Sequence, residues 1–217
     1  MSSGWNSGPS RMWAASALAI LVGAAAFVSV RGHGWAHKPI GEIPSILREV
    51  REALNLLAHG EIEQALSLAR GRQIGSPSSG HAPASPLDGE AVRLDRLFGS
   101  QVNLGLSRAI GSRDEKALRH VLRTIVLLRI LESLKAAETK MATGEWAVPI
   151  ADARNHFSLV FEPILEELDP LLHRELERAL DRLVEHASGG RLDAFLTERE
   201  TFLRRLADAY DLPLPTR

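Results

Sequence analysis

Apolar residues are distributed along this chain in two distinct ways. Residues 12–30 read MWAASALAILVGAAAFVSV, without a single charge. As a helix this run reaches roughly 28 Å, close to the hydrocarbon thickness of a bilayer. Beyond residue 42 the apolar positions instead recur every three or four residues, the period of amphipathic helices. Ile43, Ile46, Leu47, Val50, Ala53, Leu54 and Leu57 form one stripe, and Gly60 suits the end of that helix. Ile62, Ala65, Leu66 and Ala69 mark a second, shorter helix, so 43–70 predicts a helical hairpin. Residues 71–89 are rich in Gly, Ser and Pro and have no period. They read as a flexible linker that would let the hairpin move.

From residue 90 the helical period resumes and predicts a five-helix bundle over 90–211. The first helix, 90–110, is weakened by Gly99 and Gly105. Ser112, Asp114 and Glu115 look like the capped start of a second, which runs to about residue 143. That helix is the most apolar of the five, but Arg123 and Arg129 make it a bundle helix rather than a second membrane span. The third covers 147–168. Asp169 as cap and Pro170 as first helical residue start the fourth, which Gly189-Gly190 ends. The fifth covers 192–210, and 212–217 form a tail. The expected class is therefore all-α: a tail at 1–11, a single transmembrane helix at 12–30, a stalk at 31–42, then the hairpin and an antiparallel helical bundle.

Flanking residues sharpen the membrane reading. Trp13 and Trp35 sit where an interfacial aromatic belt would place them, and Arg11 and Arg31 bracket the run. A cleaved secretory signal, cut near Ala24-Ala25-Ala26, is the competing reading, with a buried soluble helix as a third. The apolar run continues through Val30, which favours an anchor. Positive charge is nearly balanced across the two flanks, Arg11 on one side and Arg31 with Lys38 on the other. The short amino-terminal tail and large carboxy-terminal part suit a signal anchor in the inner membrane with a periplasmic domain.

Composition narrows the chemistry. The 217 residues carry a net charge of −1, which gives no electrostatic reason to expect nucleic acid. No cysteine is present, so disulfides, thiolate catalysis and cysteine-bound metals are excluded. No phosphate-binding Gly-rich loop, nucleophile elbow or HExxH appears, which points away from an enzyme.

Metal binding is the sharper option. Asp152 and His156, Glu162 and Glu166, and His173 and Glu177 each stand four residues apart, so each pair shares a helix face. Mixed imidazole and carboxylate ligands suit iron or another divalent metal. His156 and Glu162 are six residues apart and point about 120° from each other on one straight helix. Charged helices also produce such pairs by chance on solvated faces. His33 and His37 repeat the spacing beside the membrane run, where two polar residues of a stalk are the plainer reading.

Two stretches resemble parts of bacterial ferric-iron permeases. Arg48-Glu49-Val50-Arg51-Glu52 fits the R-E-x-x-E pattern of their iron-binding motif, but on an amphipathic helix rather than a membrane one. Ala153-Arg154-Asn155-His156-Phe157, Phe161-Glu162-Pro163, Asp169-Pro170 and Glu175-Leu176-Glu177 resemble the periplasmic helical region attached to some of these permeases. There an aromatic-x-x-x-Phe-Glu stretch precedes an Asp-Pro helix start, and the resemblance carries Glu162 over as a functional residue. The spacing to Asp-Pro is about one turn shorter here, and the permease's several membrane helices are missing. The hairpin also looks like half of a tetratricopeptide-type repeat, of which one copy makes no solenoid.

The leading expectation is a membrane-anchored, extracytoplasmic binding or accessory protein, with metal (iron first) as its ligand and a membrane protein as its partner. The alternative is a structural or assembly subunit of a membrane complex with no ligand of its own. An enzyme with an unreadable helical active site is a third reading.

Overall fold

The computed structural model describes residues 45–71 and 86–215. The membrane-length run at 12–30, the stalk with His33 and His37, and most of the linker lie outside the described residues. Among the described residues every regular element is helical, and no helix is long and apolar enough to cross a membrane. We number the nine described α-helices in chain order: α1 Ser45–Ala58, α2 Ile62–Ala69, α3 Pro86–Phe98, α4 Val102–Ser112, α5 Glu115–Lys140, α6 Ala147–Val160, α7 Glu162–Leu168, α8 Pro170–Ser188 and α9 Leu192–Ala209.

Helix α5 is the axis of the bundle. The run Thr124, Ile125, Val126, Leu127, Leu128 is buried without interruption, as are Leu118, Leu122, Ile130 and Leu134. A helix buried all round needs neighbours on every side. α5 has them in α1, α3, α4, α6 and α9. Its start is fixed by Asp114, whose carboxylate accepts from the Ala117 amide at 2.9 Å; Ser112 belongs to the preceding helix.

The hairpin closes at Gly60, which sits at φ 76°. The Gly60 amide reaches Leu57 O at 3.1 Å and the Glu61 amide reaches Leu56 O at 2.9 Å. This is the left-handed helix ending that glycine enters without strain. The hairpin does not stand apart from the bundle. Leu47, Val50, Leu57 and Leu66 belong to the same hydrophobic core as α5 and α6.

Three expected boundaries move, each for a physical reason. The helix after the linker begins at Pro86, which needs no amide partner in a first turn. The expected helix at 90–110 is two helices, because the Asp95 carboxylate turns back at Gly99. It accepts from Ser100 Oγ at 2.6 Å and from the Val102 and Asn103 amides at 2.7 and 3.0 Å, capping α4 from within α3. The expected helix at 147–168 breaks at Phe161. Pro163 has no amide to give the Leu159 carbonyl, and its ring crowds that position.

The break at Phe161 is set in aromatic packing. Phe157 stacks on Phe161 at 6.5 Å and meets the Phe202 ring edge-on at 5.9 Å. Tyr210 lies 5.1 Å from Phe161 and donates its hydroxyl to the Phe161 carbonyl at 3.3 Å. Asp169 then caps α8 through the Leu172 amide at 3.0 Å, with Pro170 in the first turn. α8 and α9 pack as a pair, with Arg182 bidentate on Glu198 at 3.0 and 2.8 Å.

Phe202 is fully buried between α6 and the α9 core. Phe202→Ala is expected to lower unfolding free energy by about 3–5 kcal/mol. Urea denaturation followed by circular dichroism checks this.

Candidate metal site

The break after α6 decides where Glu162 points. As the first residue of α7 it is only 8% exposed, beside the equally buried His173 of α8. Glu177 follows His173 one turn later on the same face and is half-buried. His173 Nε2 lies 3.5 Å from Glu162 Oε1 and 3.9 Å from Glu177 Oε1. One ligand atom from each of the three falls within 4.8 Å of the others. His173 Nε2 is buried and has no hydrogen-bond partner.

These separations are too long for hydrogen bonds. They are slightly longer than the edges of a metal polyhedron: bonds of about 2.0–2.2 Å give ligand–ligand edges of about 3.0 Å (octahedral) to about 3.4 Å (tetrahedral). A shift of a few tenths of an ångström in each side chain would place all three around one ion. Two carboxylates and a neutral imidazole supply two negative charges, matching a divalent cation, and leave coordination positions for further ligands.

The other expected ligands lie elsewhere. Glu166 is exposed, so Glu162 does not pair with it across one turn but with α8 across the Asp169-Pro170 corner. Asp152 and His156 share a face of α6, yet His156 Nδ1 bonds the backbone carbonyl of Asp152, not its carboxylate. His156 is 2% exposed and its Nε2 has no hydrogen-bond partner.

The charges around His156 are matched to one another rather than to a cation. Arg93 of α3 donates to Glu90 at 2.9 and 2.8 Å and to Glu132 of α5 at 2.6 and 2.7 Å. Arg129 of α5 lies 3.4 Å from both carboxylates. Two guanidinium groups thus occupy these carboxylates, and Asp152 and His156 stand beside this ion-pair network, apart from the three residues that converge at Glu162. This network joins α3 and α5, and with Arg93 and Glu132 39 residues apart no local spacing announces it.

Burial and Arg129 hold the His156 imidazole down to a pKa of about 4, against the Asp152 carbonyl, Glu132 and Glu90, which favour its charged form. Burial also raises the Asp152 carboxyl, with Arg129 opposing. The hydrogen bonds from Arg93 lower Glu132. Burial pushes the Tyr210 hydroxyl up to about 12, despite Arg123 lying over its ring at 4.8 Å from the centroid.

Comparison with protein families, curated proteins and solved structures gives no match for this chain.

His156 gives the chain a pH dependence of definite sign. Its folded pKa lies below the ordinary value of 6.5, so the unfolded chain takes up the proton first as pH falls. The contribution is complete above about pH 6.5 and is lost progressively down to about pH 4, a change on the order of 2–3 kcal/mol. Denaturant unfolding across that range is expected to show this loss, and His156→Leu to flatten it.

Proposed function

We propose that this chain is a metal-binding accessory protein whose helical bundle holds one divalent cation, iron first, between Glu162, His173 and Glu177. The convergence of these three side chains on a buried imidazole nitrogen with no hydrogen-bond partner carries the reading. The resemblance of 153–177 to a permease-linked periplasmic region points to the same metal and includes Glu162. The membrane-length run at 12–30 supports an anchored, extracytoplasmic setting with a membrane protein as partner. Among the described residues the site is only partly closed, because Glu177 is half-buried. Partial closure suits exchange of the ion with a partner better than permanent retention.

Titration calorimetry of the full chain in mild detergent with Fe(II) under anaerobic conditions tests the reading. One ion per chain is expected. His173→Ala and Glu162→Gln should each weaken binding by about tenfold or more, or about 1.4 kcal/mol and beyond. Asp152→Asn should leave it unchanged. No binding, or equal binding by all four proteins, would overturn the assignment. Either result would favour a structural subunit of a membrane complex, for which Leu168 and Leu171, 76% and 67% exposed on the same α7–α8 corner, offer a contact.

A further inference from the structure

A cleft of about 520 Å³ opens between the start of α4, the middle of α5 and the extended tail after α9. We propose that this cleft binds a small apolar molecule bearing a carboxylate, independently of any metal at Glu162, His173 and Glu177.

Size and lining come first. The volume falls within the few hundred to a thousand Å³ usual for small-molecule sites. Val102 and Leu128, 5% and 1% exposed, contribute apolar walls, together with Phe98, Val121 and Leu214. The Thr124 hydroxyl is held by the His120 carbonyl at 2.9 Å, so it already has its partner within α5. Gly105 also lines the cleft, and a β-carbon there would come within 3.0 Å of Val121 Cγ2. Its absence lets α4 lie close to α5 without filling the opening.

Charge selects the ligand's head group. Among the described residues no Asp or Glu lines the cleft, although the chain holds 27 of them. The nearby Asp95 is already engaged with Ser100 and the amides of α4. His120 lines the cleft, and its ring has no hydrogen-bond partner among the described residues. Lys135, seven residues beyond Leu128 and therefore on the same face of α5, holds its ammonium 5.4 Å from the Phe98 ring centroid. An apolar cleft lined by an unengaged imidazole, with an ammonium against the ring of its wall residue Phe98 and no acid among the described lining residues, favours an anionic head over a cationic one.

Methyl NMR of the full chain, with 2-naphthoate as the probe, tests the proposal. The Val102, Val121, Leu128 and Leu214 methyls are expected to shift together and saturably. The neutral alcohol with the same ring should bind about tenfold more weakly. His120→Ala should reduce naphthoate affinity to that of the alcohol. Thr124→Trp, which fills the cleft, should abolish the shifts. Should Thr124→Trp fail to fold, Leu214→Asp on the less buried wall should weaken naphthoate by a similar factor of about ten. Three results would overturn the proposal: no saturable shift in these methyls, equal affinity for acid and alcohol, or unchanged binding in the filled or acidified cleft. None of them bears on metal binding.

Discussion

The structure depends on one constraint: the middle of the 26-residue helix α5, where Thr124–Leu128 are buried in succession, must be covered on every side. The middle of α5 cannot lie at a surface, and α1, α3, α4, α6 and α9 pack around it. This explains why the amino-terminal hairpin is part of the core and not an appendage. Removing α1 would expose part of α5 to water at a cost that scales with the apolar area uncovered. It also explains the two arginines on α5. Arg129 lies 3.4 Å from Glu90 and Glu132, and Arg123 rests on the face of Tyr210, while the Nε of each is buried without a hydrogen-bond partner. Both charges are accommodated where α5 meets its neighbours.

The candidate metal site is a by-product of how α6 ends. Pro163 breaks the helix, and Phe161 is locked between Phe157 and Tyr210. The chain then turns through a seven-residue helix and the Asp169 cap. Glu162 and Glu166 keep their spacing of four within α7, and it is the turn at Asp169-Pro170 that folds α8 back onto the Glu162 face. The corner turns Glu162 toward His173 and Glu177, which share one face of α8. The aromatic residues and Asp169 build the corner, and Glu162 is the carboxylate it sets beside His173.

Local signals were legible in the sequence, and long-range ones were not. Asp169-Pro170 and Gly189-Gly190 mark α8 because caps and breakers act within a few residues. The pairing of His173 with Glu177 follows from helical spacing alone. The approach of Glu162 to His173, across the turn between α7 and α8, has no spacing within one helix to announce it. The split at Gly99 was half-visible: the glycine marked weakness, but the capping role of Asp95 depends on chain reversal. The Arg93–Glu132 pairing, across 39 residues, has no local signature. The linker at 71–89 suggested independence of the hairpin, but a linker's composition says nothing of what its ends pack against.

The central claim is that Glu162, His173 and Glu177 together hold one divalent cation. Anomalous diffraction from crystals of the iron-loaded protein, measured at the iron edge, tests it most directly. The account predicts a single peak within about 2.0–2.3 Å of the three ligand atoms. A peak beside Asp152 and His156, or none between α7 and α8, would contradict it.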